Sequence, residues 1–136
     1  MMPIFQTNTC HLTGDCLSAC LASILEVSPK TVPKFLEEDP KHFWPNVGLW
    51  CWQAHRKVLH TQQKFVSIPG YSILNYLTEQ DPYTNRKIGH AIVAFNGKPV
   101  HCPSYGKLDK WWWWTKPSRV YLTITLQSYD EYLASL

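Results

Sequence analysis

Two residue types in this chain can combine into nucleophilic chemistry, since it carries five cysteines and six histidines. Cys16 follows Gly14-Asp15 and opens an apolar stretch running from Leu17 through Cys20 and Leu21 to Ile24 and Leu25. A thiol at the first residue of a helix meets unpaired N–H groups and the positive end of the macrodipole, both of which favour a thiolate. Cys16 is therefore expected to be a nucleophile with a depressed pKa, while Cys20, one turn deeper, reads as a small core residue. A thiolate needs an imidazole, and His90 is the best placed. It follows Ile88-Gly89 and opens the strand-like run Ala91-Ile92-Val93-Ala94-Phe95, so its ring would stand at the end of a sheet. His11 and His42 fall in loops, and His55 and His60 on a basic, solvated helix. A cysteine on an early helix and a histidine on a later strand become neighbours only through the fold.

The elements that must position these groups are legible in outline. Apolar spacing of three and four predicts a helix over residues 16–27, with Asp15 as its N-cap, ended by Ser28-Pro29. A short second helix is expected over residues 31–38, a loop over 39–48, a third helix over 49–60 and a strand over 64–69. Asn96-Gly97 between two apolar runs predicts a tight hairpin joining residues 90–95 to 98–102. A β-branched alternation marks a strand over 119–126, and residues 128–136 suggest a short terminal helix. Helices first and strands second make an α+β chain, with N-terminal helices on a small antiparallel sheet.

The hairpin also bears on which group orients the imidazole. With Asn96-Gly97 as a two-residue turn, Phe95 pairs with Lys98, Ile92 with His101 and His90 with Pro103. His101 is then the diagonal neighbour of His90 on one face and the candidate orienting residue. A slip of one residue would turn His101 away and bring Cys102 or Ser104 over instead.

The strings themselves carry a likeness. Gln6, the helix start Gly14-Asp15-Cys16, Val32-Pro33-Lys34-Phe35, then Gly89-His90-Ala91-Ile92-Val93 with Asn96-Gly97 and His101-Cys102-Pro103, resemble a family of small bacterial and phage papain-like cysteine peptidases. At the level of fold the likeness extends to double-glycine leader peptidases and cell-wall cysteine endopeptidases. It covers residues 4–36 and 88–105. It implies a single papain-like domain over residues 1–136, with Cys16 as nucleophile, His90 as general base and Gln6 donating to the oxyanion hole. The expected reaction is acyl chemistry on an amide, isopeptide or thioester bond of a protein or peptide. The alternative is a catalytically degenerate papain-like effector that binds a host or partner protein. Where these relatives often carry Asp-Pro after the hairpin, this chain has Cys102-Pro103, and a thiol orients an imidazole poorly.

Composition sets the outer bounds. A chain of 136 residues is one domain by size, and its core can bury roughly two-thirds of the unfolded surface without a disulfide or metal staple. Five cysteines fall well below the roughly 8–10% of a disulfide scaffold. With 45% hydrophobic and 17% charged residues the chain is too apolar for disorder. The net charge of +3 does not argue for nucleic acid, and no apolar run approaches the ~18 residues of a membrane helix. No basic and apolar leader opens the chain, so a reducing cytoplasmic setting is expected, the host cytoplasm if the chain is phage-encoded. Cys10-His11, Cys51 with His55, and His101-Cys102 lack zinc-module spacing, so neither metal nor cofactor is expected. The run Trp111, Trp112, Trp113, Trp114 cannot all point into one core, and at least one indole is expected to be exposed beside the groove to Cys16.

Overall fold

The structure, a computed structural model, describes residues 1–5, 15–80, 87–103, 106–107 and 120–136. Helix α1 spans Cys16–Leu25, α2 Phe35–Glu38, α3 Phe43–His55 and α4 Tyr129–Ala134. The strands are β1 Lys57–Gln62, β2 Tyr71–Gln80, β3 Lys87–Phe95, β4 Lys98–Cys102, β5 Gly106–Lys107 and β6 Val120–Ser128. They form one sheet in the order β1-β6-β2-β3-β4-β5, and every pairing is antiparallel. The chain is α+β. No helix among the described residues is long and apolar enough to cross a membrane.

α1 is the central helix. Residues Leu17 through Ser23 are buried without a break, so more than an amphipathic stripe is covered. Leu17, Cys20, Leu21 and Ala22 pack with Ile73, Ala91, Val93, Leu122 and Ile124 of the sheet and with Phe35, Val47 and Cys51 of α2 and α3. The alternate sheet residues Leu74, Tyr76, Ile92, Ala94 and Val120 gather with Cys102 in a second cluster, as the period of two requires. The N-terminal segment lies along α1, where Ile4 N donates to Ser23 Oγ at 2.9 Å and Met2 N to Ser23 O at 2.9 Å. Glu26 ends the helix in the left-handed region, its N–H returning to Ala22 O.

Several expectations give way to long-range contacts. The third helix begins at Phe43 rather than Leu49, because Pro45 sits in its first turn, where no intrahelical donor is lost. It ends at His55, where Arg56 takes a left-handed cap, and the following residues form β1 against β6. His60 thus lies on a strand, with Nε2 2.7 Å from Gln127 Oε1. Residues 64–69 are not a strand: Thr123 Oγ1 donates to the Lys64 carbonyl at 2.7 Å and accepts from Val66 N at 3.1 Å. β2, which the sequence reading does not mark, is the strand between β6 and β3.

The Asn96-Gly97 hairpin forms as expected, with φ of 51° and 81° at its two central residues. Glycine is required there twice over, since a Cβ on Gly97 would also collide with Ser67 Oγ.

Candidate active site

Cys16 is the first residue of α1, so the helix start falls where the sequence places it. Asp15 occupies the N-cap position without capping. Its carboxylate, 5% exposed, is paired instead with the Lys34 ammonium. Ser18 Oγ donates to the Pro33 carbonyl at 2.8 Å. These two bonds lock the helix start to the Val32-Pro33-Lys34-Phe35 segment and fix the height of Cys16 above the sheet.

The sulfur lies against the backbone N–H of Ala91, the residue after His90, and both Cys16 and His90 line one cavity of about 220 Å³. Its other walls include Lys34 and Glu37, Trp44 of α3, Asn75 of β2 and Tyr121 of β6. Asn75 hydrogen-bonds the Tyr121 phenol, while its Oδ1 is buried with no partner.

The electrostatics correct one expectation. Burial pushes the Cys16 thiol up, and the Asp15 charge adds to it. The N–H groups of Ala91, Leu17 and Cys16 itself oppose the shift without reversing it. Desolvation outweighs the helix terminus, so the group rests as a thiol and not as a preformed thiolate. Burial also holds the His90 imidazole down at about 4. The resting pair is neutral on both sides. A nucleophilic role for this sulfur would therefore require proton transfer coupled to attack.

The orienting residue is the second correction. β4 pairs with β3 as Phe95↔Lys98 and Ala94↔Pro99, then shifts by one at a bulge to give Val93↔His101. One extra residue inverts the faces beyond it. His101 turns away from His90. Its Nε2 donates to the Ile4 carbonyl at 2.7 Å, and its ring stands edge-on to Phe5. Cys102 takes its place, with Sγ 3.1 Å from His90 Nε2.

Gln6, the expected oxyanion donor, and the run from Trp111 to Trp114 lie outside the described residues. Cys20 and Cys51 are buried core thiols, both pushed up by desolvation, Cys51 to about 11. Among the described residues no cluster of histidine, cysteine and carboxylate groups is placed to hold a metal ion. Asn75 and Tyr121 escape the sequence reading, although an asparagine inside the apolar run Ile73-Leu74-Asn75-Tyr76 is a visible signal. No protein-family model, curated protein or solved structure matches the chain.

Proposed function

We propose that the chain is a papain-like cysteine hydrolase or acyltransferase acting on an amide, isopeptide or thioester bond of a protein or peptide. The Cys16 sulfur attacks the carbonyl carbon as its proton passes to His90. The oxyanion is stabilised by the Cys16 backbone N–H at the open end of α1 and, as the resemblance implies, by the Gln6 side-chain amide. Collapse expels the amine or thiol, which takes the proton back from His90 and leaves a thioester on Cys16. Water or a second nucleophile then releases the acyl group and frees the sulfur.

The observation that carries this reading is the placing of Cys16 at the start of α1, against the Ala91 N–H and in one cavity with His90. Iodoacetamide labelling at pH 7, resolved by cysteine, tests it. Cys16 should react ahead of Cys20, Cys51 and Cys102, and His90→Gln should slow it by roughly 10²-fold, the lower end of what a positioned general base supplies. Labelling that ignores His90, or that favours another cysteine, overturns the proposal.

A second reading, a degenerate scaffold that binds a partner without turnover, is favoured by the raised Cys16 thiol and by a thiol in the orienting position. Under it Cys16 labels no faster than an ordinary exposed thiol, and His90→Gln changes nothing.

A further inference from the structure

An imidazole that takes a proton on one nitrogen needs a partner on the other, to fix the ring and its tautomer. The groups around His90 come from every packed element. Cys16 at the start of α1, next in the chain to Asp15, and Lys34 and Glu37 at α2 line the cavity that His90 also lines. Tyr76 on β2 is the cross-strand partner of His90, Cys102 is on β4 and Tyr121 on β6. Asp15 is engaged by Lys34. At 3.1 Å from Nε2, Cys102 Sγ has the geometry of a partner, and full burial among Leu74, Ile92 and Ala94 holds it in place.

A second observation points the same way. The bulge between Val93 and Ala94 is the feature that selects Cys102 over His101. Without it the hairpin register would set His101 beside His90, the more usual kind of partner for a ring nitrogen. Bulges next to reactive sites re-aim side chains in this manner.

We propose that Cys102 is the positioning residue of this site, accepting the His90 Nε2–H on its neutral sulfur and so leaving Nδ1 unprotonated to receive the Cys16 proton. This rests on the Cys16–His90 reading above. A thiol sulfur is a weak acceptor and carries no charge, so Cys102 orients the ring without stabilising the imidazolium. Burial holds the His90 imidazole down at about 4, and a neutral sulfur at Cys102 does not counter that. A carboxylate at the same place would orient the ring and raise its pKa together.

The test uses the full chain with iodoacetamide as probe at pH 7, and 15N shifts of the His90 ring assigned through His90→Gln. In the wild-type protein the ring should carry its proton on Nε2, a measurement that needs no Cys102 variant to fold. Cys102→Ala should slow Cys16 labelling about 10-fold, part of the general-base contribution, and mix the tautomers. Cys102→Asp should label faster than wild type and titrate His90 well above 4. An Nδ1–H tautomer in the wild type overturns the proposal. So do labelling rates within twofold across folded Cys102 variants while His90→Gln still slows the reaction. If His90→Gln has no effect, the Cys16–His90 reading itself fails and this role falls with it.

Discussion

Two hollows meet at Trp44 and differ in almost everything else. The cavity of about 220 Å³ holds a thiol, an imidazole, a buried amide and a phenol. The groove of about 720 Å³ runs between α3 and β1 and is walled by Trp44, Leu49, Trp52, Val58 and Leu59, with Lys57 at one side. The sheet beneath them differs as well. β1 and β6 pair through Lys57↔Ser128 to Gln62↔Thr123 with no shift in register. Each ladder bordering the smaller cavity is interrupted: β2–β6 between Asn75 and Tyr76, β2–β3 between Leu77 and Glu79, and β3–β4 between Val93 and Ala94. The unpartnered Asn75 Oδ1 is at this end too. Volume does not separate the two hollows as sharply as these features do. Irregular backbone and polar groups held against their solvation preference gather at the smaller one, and both cost stability.

The largest expected stability effect tests that cost. His90 ordinarily titrates near 6.5 and is held at about 4 by burial in the folded chain. Between those values the unfolded chain binds a proton that the folded chain does not, so stability falls as pH drops from 6.5 towards 4. The loss is about 2–3 kcal/mol after allowance for the partial exposure of the ring. Urea unfolding at pH 7 and pH 4.5 measures it, and His90→Gln should flatten the difference. Equal acid losses in the two proteins would show that the cavity end is not under this electrostatic load.

Next in size is a contrast within one helix. Cys20 is fully buried, in contact with the core that joins α1 to the sheet, whereas Cys16 stands at the helix start with its sulfur on the cavity. Cys20→Ala should cost about 1 kcal/mol through the small void it opens, and Cys16→Ala less than half of that. Thermal melts of the two variants decide it. The reverse order would mean that Cys16 is a packing residue and that the cavity has been assigned to the wrong face of α1.

What could be read from sequence divides along the same line. Cys16 at a helix start, His90 on a strand and the Asn96-Gly97 turn are local signals, each written within a few residues; the helix start and the turn stand where expected, whereas His90 is the fourth residue of its strand and not the first. The first rungs of the hairpin follow from the turn alone. The bulge that exchanges His101 for Cys102 does not, because it depends on how β4 seats against the second core cluster and on the Ile4 carbonyl that receives His101. β2 escapes because it is buried on both faces, so its run Ile73-Leu74-Asn75-Tyr76 lacks the alternation of a half-exposed strand. The thiolate expectation fails for a similar reason. A helix terminus is visible in sequence, whereas the desolvation that overrides it is a property of the assembled cavity.

The smallest effect belongs to the groove. Leu49 lies on α3 and is 53% exposed, so little apolar area is at stake in its replacement. Leu49→Ser should cost about 0.5 kcal/mol, most of it helix propensity, and leave Cys16 labelling unchanged. Trp44 is the wall common to both hollows, and Trp44→Ala should alter labelling because the cavity loses one side. Both variants are read by the same iodoacetamide rate alongside a thermal melt. If Leu49→Ser slows Cys16 as much as Trp44→Ala does, with the fold intact, the hollows act as one site. The groove would then have to be counted among the parts that set the reactivity of Cys16, and the division between a reactive end and an inert one would not stand.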